Sequence, residues 1–447
     1  MSQLAAIFAL ALGAWAHARG LGALSNELGW SQAPHAIAAD QSNADDAVLF
    51  DAKTLARIRQ HSPRPAPPAD PTNRVADDPR AALLGQRLFF EKRWSRNGEI
   101  SCATCHDPER AFVDAKPLGE GLTKLERHTP GLLDVAYNRW FFWDGRADTL
   151  WSQALGPFEN DAEMGGTRVG AAALIASDEN LRADYTALFG APPDVGDAAR
   201  FPRDAKPSDS NAAANALWLA MRADDREEID RAAANLAKCI AAYERKLITG
   251  PSPFDRFVEG LEDGDPEKLG ALSPSAQRGL ALFVGKANCR LCHSGPSFSD
   301  GEFHSIGVAP LAGPPPRDSG RHAGAKLVRE APFNAASRFS DAPDGDVAQR
   351  LATVRSGPEM WGEFKTPSLR NVGRTAPYMH QGQFATLEAI LHFYSTMEGA
   401  LAVGHHQETV MQPLKLDETE LADLVAFLRS LDGADVAEEL KRAPSGG

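Results

Sequence analysis

Two short strings, Cys102-Ala103-Thr104-Cys105-His106 and Cys289-Arg290-Leu291-Cys292-His293, constrain this chain more than any other feature. Each has the form C-x-x-C-H, the sequence signature of covalent c-type haem attachment. Two thiols three positions apart bond the two vinyl groups of one haem, and the imidazole that follows reaches the iron as proximal ligand. Together the strings use four of the five cysteines. A single zinc ion held by all four thiolates would account for the cysteines. It would not account for a histidine directly after each pair. The strings therefore predict two haem c groups, one on Cys102, Cys105 and His106, the other on Cys289, Cys292 and His293.

A length of 447 residues is ample for two core-forming domains, and 43% hydrophobic content is ordinary for a globular protein. A net charge of -13 argues against a nucleic-acid-binding face. Residues 4–16 form one apolar run, followed by Ala16-His17-Ala18 as a small-x-small cleavage site. This predicts a secretory signal peptide over 1–18, and hence a periplasmic protein, although no Lys or Arg precedes the run. Elsewhere no segment is long and apolar enough to span a membrane.

Residues 19–76 are poor in core-building side chains, and the proline-rich stretch 61–71 predicts an extended arm. Asp78-Pro79 opens a helix by the N-cap and first-turn rules. Ile229, Ala233, Leu236, Ile240, Tyr243 and Leu247 recur at three- and four-residue steps, predicting a helix over 227–248 that buries Cys239 as a structural thiol. Leu272-Ser273-Pro274 opens a second half. Residues 309–356, rich in Gly, Pro, Ala and Asp, predict a long excursion of loops. A last helix begins at Asp417, with Glu420 completing a capping box. The expected fold is mainly α: two cytochrome-c-like haem domains packed together, with long loops and little strand. Their expected bounds are 77–265 and 266–433, followed by a tail over 434–447.

At this point the residues carry a resemblance. Leu88-Phe-Phe, Ile100 to His106, Phe142-Trp-Asp-Gly-Arg146, Gly156-Pro157, Glu163-Met164, Thr366 to Asn371 and Pro377-Tyr-Met-His380 resemble the bacterial dihaem cytochrome c peroxidase and MauG family, over roughly 78–431. The resemblance implies that the first haem meets hydrogen peroxide and the second passes or stores electrons. It places Glu163 as the distal acid–base carboxylate, Gln153 and Pro157 in the same distal pocket, and Trp143 between the haems. It also implies a calcium ion held partly by the carbonyls of Thr375 and Pro377. His128 stands where the family has a calcium-bound asparagine, and imidazole is a poor donor to a hard cation.

Two departures are informative. Peroxidases that rest inactive carry a histidine whose place here falls at about Glu120, so the first iron is expected to be five-coordinate, with His128 the competing ligand. Fourteen residues beyond His380, ordinary peroxidases place a methionine on the second iron and the MauG branch a tyrosine; here the residue is Tyr394. Leu387, Ile390, Leu391 and Tyr394 share one helical face, with Met397 near its edge as the rival ligand. The resemblance thus implies an exported dihaem peroxidase of the MauG-like branch, acting on hydrogen peroxide and fed by a small redox protein, a cytochrome c or cupredoxin. The alternatives are an enzyme that oxidises Trp or Tyr of a partner protein, and a dihaem electron carrier. For the former, residues 285–288 offer no aromatic exit, leaving Trp361 and Phe364 as candidates.

Overall fold

The computed structural model describes residues 48–312, 318–401 and 408–445. The expected signal peptide and the first part of the arm lie outside the described residues. The chain is mainly helical, and its strands β1 (Phe303–His304) and β2 (Phe364–Lys365) form one antiparallel pair. No helix of the described residues is long and apolar enough to cross a membrane.

The arm carries a short helix, α1 (Ala52–Ile58), and then runs without regular structure to α2 (Pro79–Phe89). Asp78 caps α2 by accepting from the Arg80 amide, and proline fills the first turn. Next come α3 (Leu150–Glu159) and the long α4 (Ala223–Glu244), which starts and ends about four residues before its predicted bounds. The second half contributes α5 (Pro274–Val284), α6 (Arg321–Glu330), α7 (Leu387–Thr396) and α8 (Glu418–Arg429). α6 and a further helix over Asp346–Ala352 fall inside the excursion predicted as loops. Glycines and prolines around them hide two short amphipathic turns whose Val328 and Leu351 are buried.

The same crossing is built twice. α2 meets α4 where a Cβ on Gly85 would fall 1.8 Å from the Cys239 carbonyl oxygen, and α5 meets α8 where one on Gly279 would fall 2.0 Å from that of Asp423. Only glycine lets the two backbones approach so closely. Cys239 is fully buried at the first crossing, and burial raises its thiol pKa, as befits a structural role.

Beyond the crossings a constant register relates the halves. Asp134 and Asn371 are 237 residues apart, and the same interval relates the short helical turns Val135–Tyr137 and Val372–Arg374, as well as α3 and α7. It also relates the positive-φ residues Phe142 and Met379, and Gly145 and Gly382. Asp134 and Asn371 both take the left-handed conformation that Asp and Asn tolerate, at φ 61° and 62°.

These paired residues touch. Asn371 Nδ2 donates to Asp134 Oδ2 at 2.8 Å, while the amide and hydroxyl of Thr249 donate to the same carboxylate at 2.9 and 2.7 Å. Arg64 of the arm completes the junction with an ion pair of 2.7 Å. The arm and the tail cross over: Ile58 packs in the core of Phe254, Phe283 and Phe427, whereas Val436 packs with Trp151 and Tyr243. Removing one partner of a buried ion pair strands the other charge. Asp134→Ala is therefore expected to cost about 3–5 kcal/mol. A fall in the guanidinium unfolding midpoint checks this; Asp134→Asn, which keeps part of the hydrogen bonding, should fall less.

Candidate active site

Each attachment string ends in a histidine whose ring is aimed by the backbone. His106 Nδ1 donates to the Phe112 carbonyl at 3.1 Å and His293 Nδ1 to that of Phe298 at 2.9 Å. Both accepting residues are fully buried phenylalanines at positive φ, 59° and 49°. A carbonyl can only accept, so Nδ1 carries the proton and Nε2 keeps a free lone pair. Burial holds both imidazoles below their ordinary pKa, which keeps that lone pair available. This is the geometry of a proximal iron ligand with its outer partner in place. Among the described residues the four paired cysteines do not gather into one cluster, so the single-zinc alternative has no site.

A cavity of about 750 Å³ opens against the second string. Cys289, Cys292 and His293 line it together with Leu387, Ile390, Leu391 and Tyr394, the predicted face of α7. Burial pushes the Tyr394 phenol above its ordinary pKa. Met397 caps α7 in the left-handed conformation at φ 56° and does not line the cavity. Lys365 also lines it, with no carboxylate of the described residues in ion-pair range, and burial pulls its ammonium down to about 8. Thiols, imidazole, phenol and an unpaired cation suited to a propionate together fit a haem.

The first string is a single helical turn, Cys102–Cys105, capped by Ser101, whose amide donates to Thr104 Oγ1 at 3.0 Å. Glu163 lies close enough to Cys102 and Cys105 to affect both thiols. Burial raises its carboxyl pKa; Asn160, donating to Oε1 at 2.8 Å, and Arg146 partly oppose that. Gln153 and Pro157 stand on α3, one helical turn apart. The loop after the string packs on the Glu163 segment, since the Leu122 amide donates to the Glu163 carbonyl at 2.9 Å. Glu120 in that loop is exposed and paired with Lys116 at 2.6 Å.

The register relating the halves places Pro157 opposite Tyr394 and Trp143 opposite His380. Trp143 donates from Nε1 to the His128 carbonyl at 2.9 Å, and its own carbonyl accepts from the Lys365 amide at 2.8 Å. It lines the cavity of the second string, as does His128, whose Nδ1 donates to the Lys116 carbonyl at 2.7 Å. Thr375 and Pro377 line the same cavity. Of the two exit candidates, Phe364 stacks on His380 with ring centroids 3.7 Å apart, and Trp361 packs against His322 at 5.3 Å.

A family model described as "Di-haem cytochrome c peroxidase" matches residues 79–263. The chain is 33% identical to the methylamine utilization protein MauG of Methylorubrum extorquens over 91% of this chain and 90% of that one. It is 29% identical to the cytochrome-c peroxidase IdrP1 of Pseudomonas sp. (strain SCT), over 86% and 90%. The chain belongs to the dihaem cytochrome c peroxidase and MauG family. The crystal structure of the diheme peroxidase BthA from Burkholderia thailandensis matches with a TM-score of 0.59 at 25% identity, covering 82% of this chain and 90% of that one. Membership makes this protein an oxidoreductase of the dihaem peroxidase type, with two haem c groups.

For this dihaem peroxidase, three residues near the two sites escape sequence reasoning. Lys365 stands one position before a motif that claims attention first. His304 bridges Asp300 at 2.8 Å and Glu408 at 2.7 Å beside Cys292, and its hydrogen bonds to Asp300, first, and then to Cys292 and Glu408 raise its imidazolium pKa. Glu244 ends α4, where a glutamate reads as a surface charge, yet it is 4% exposed, and burial raises its carboxyl to about 8. The folded protein thus keeps a proton there that the unfolded chain releases near 4.5. The Glu244 contribution to stability is therefore greatest below pH 4.5 and is lost as pH rises towards 8. Glu244→Gln is expected to match the parent at pH 4.5 and to exceed it by at least about 1.4 kcal/mol at pH 8, measured by urea unfolding.

Proposed function

We propose that this chain is an exported, periplasmic peroxidase that reduces hydrogen peroxide to water at the His106 site, with electrons supplied by a small redox protein, a cytochrome c or cupredoxin. Bound haem would supply the iron that receives peroxide and the capacity to hold oxidising equivalents. The observation that carries the reading is the pairing of Pro157 with Tyr394 at the register that relates the halves. A tyrosine lining the same cavity as His293 can close the second iron's sixth position with a phenolate oxygen. Proline offers no donor atom, so the same position on α3 leaves the first site open for a substrate. His128, the rival ligand, has its Nδ1 engaged by the Lys116 carbonyl at 2.7 Å.

In this reading the halves are the two haem domains, the first peroxidatic and the second serving electron transfer. Glu163 takes the proton from the near oxygen of peroxide and delivers it to the far oxygen, which leaves as water. A buried carboxyl with a raised pKa, steadied by Asn160, is suited to both transfers. In this reading Gln153, on α3, orients peroxide, and Trp143 couples the two sites. A calcium ion at the Thr375 and Pro377 carbonyls would have to be held without the His128 ring, whose Nδ1 is committed to Lys116.

The likeness to a MauG protein and the tyrosine at 394 favour a second reading, in which the reducing electrons come from Trp or Tyr side chains of a partner protein. A plain electron carrier would need a second strong ligand at the first site, and Pro157 supplies none. The deciding measurement is electron paramagnetic resonance of the resting ferric holoprotein: one high-spin and one low-spin signal are expected, and two low-spin signals would sink the open first site. Glu163→Gln should then slow the reaction with peroxide about 10²–10⁴-fold in stopped flow without changing those resting signals. A rate within twofold of the parent would remove Glu163 from the mechanism.

A further inference from the structure

The register that relates the halves breaks at one place. His293 follows His106 by 187 positions whereas Asn371 follows Asp134 by 237, so the second half holds 50 extra residues between these points. The extra chain is the excursion that contains α6. Its described part leaves its own half and packs on the first. Phe333 and Phe339 are buried with Trp151 and Tyr243, and Val328 and Leu351 with Trp140. Asp341 holds Lys238 of α4 at 2.6 Å, and the Ala335 amide donates to Asp148 at 3.0 Å.

The contacts converge on the turn that carries Trp143. Arg321 at the start of α6 is 5% exposed and donates from Nη1 to the carbonyls of Gly145 at 2.8 Å and Asp144 at 3.3 Å. Its guanidinium is held between the rings of Phe303 at 4.1 Å and Trp140 at 4.5 Å, a stacked geometry that lysine cannot reproduce. One turn later the α6 backbone rests on the same residue, since a Cβ on Gly324 would fall 2.1 Å from the Asp144 carbonyl oxygen. From the other side Arg127 binds the Asp144 carboxylate at 2.6 Å and is itself held by Asp318 of the excursion at 2.7 Å.

We propose that this inserted strap is a positioning device for Trp143, and that Arg321 is its principal positioning residue. The inference rests on the reading of Trp143 as the residue that couples the two haems. Electronic coupling falls steeply with separation and orientation, so a relay on a turn must be held as closely as a catalytic group. The strap fixes the two peptide units directly after Trp143, and the Lys365 amide fixes its carbonyl. The first half has no such insertion. At His380, the paired position, the carbonyl is held by the His128 amide at 2.8 Å, but no arginine of the described residues donates to the carbonyls of Gln381 and Gly382 that follow it.

The test measures electron transfer between the haems after flash photolysis of carbon monoxide from the half-reduced holoprotein. Arg321→Met should slow that transfer at least about tenfold, Arg321→Lys should recover part of it, and peroxide binding should stay at the parental value. In hydrogen exchange, the Lys365 amide should open faster in Arg321→Met. Gly324→Ala, which must push α6 off Asp144, gives the same readout should Arg321→Met fail to fold. An unchanged transfer rate in these variants, with Trp143→Phe slowed, overturns the strap's role. An unchanged rate in Trp143→Phe overturns the coupling reading instead, and unaltered Lys365 exchange in Arg321→Met would then remove the positioning claim as well.

Discussion

The buried carboxylate of Asp134 joins everything else in this protein. It accepts from Asn371 in the second half, from Thr249 at the link between halves, and from Arg64 in the arm. The arm is further bound by Arg370, which donates to the His61 carbonyl at 3.0 Å, and by Trp151, which donates to Thr72 at 3.0 Å. An ionised group so deeply buried costs desolvation energy and is tolerated only when its partners are complete. Three segments must therefore arrive together, and that requirement joins the second half and the arm to the first half at one point. The reciprocal burial of Ile58 and Val436 applies the same logic with apolar surface.

Duplication explains the sameness of the sites, and divergence at a few positions explains their difference. Both halves aim a histidine by a buried phenylalanine carbonyl and both cross two helices at a glycine. Besides the inserted excursion, they differ in one pair on α3 and α7, proline against tyrosine, and in one pair in the preceding turn, tryptophan against histidine. Neither exchange disturbs the scaffold. Pro157 costs α3 a hydrogen bond only near its end, where the chain is already turning towards Glu163. Tyr394 places a polar atom in an apolar wall, which costs free energy unless a partner such as an iron satisfies it.

Much of this was legible in the sequence because it depends on local rules. The C-x-x-C-H strings, the capped helices and the α7 face that carries Tyr394 all follow from spacing. The 309–356 excursion was not legible. Its helices are short, its apolar residues are spread among glycine and proline, and its function lies in contacts with residues nearly two hundred positions away. The burial of Glu244 was hidden for a related reason. Periodicity shows which face of a helix is apolar, but not that a second layer will cover the polar end as well. Lys365 becomes meaningful only when it is seen to line the cavity with no carboxylate of the described residues in ion-pair range.

The position between the sites shows how these levels combine. Trp143 and His380 occupy paired positions, and the backbone of His128 bridges them: its carbonyl accepts from the indole, and its amide donates to the His380 carbonyl at 2.8 Å. His380 is kept neutral by burial, which pulls its pKa down to about 4, and it stacks flat on Phe364. The side chains of Trp143, His380 and Phe364 are uncharged, and Arg127 and Asp144 beside them are matched to each other. A neutral bridge does not change its hydrogen bonding when charge moves past it, so little reorganisation opposes such movement. On the proposed coupling through Trp143, two linked haem-binding units need a rigid junction to act as a single redox system, and backbone hydrogen bonds and one clamped turn supply that rigidity here.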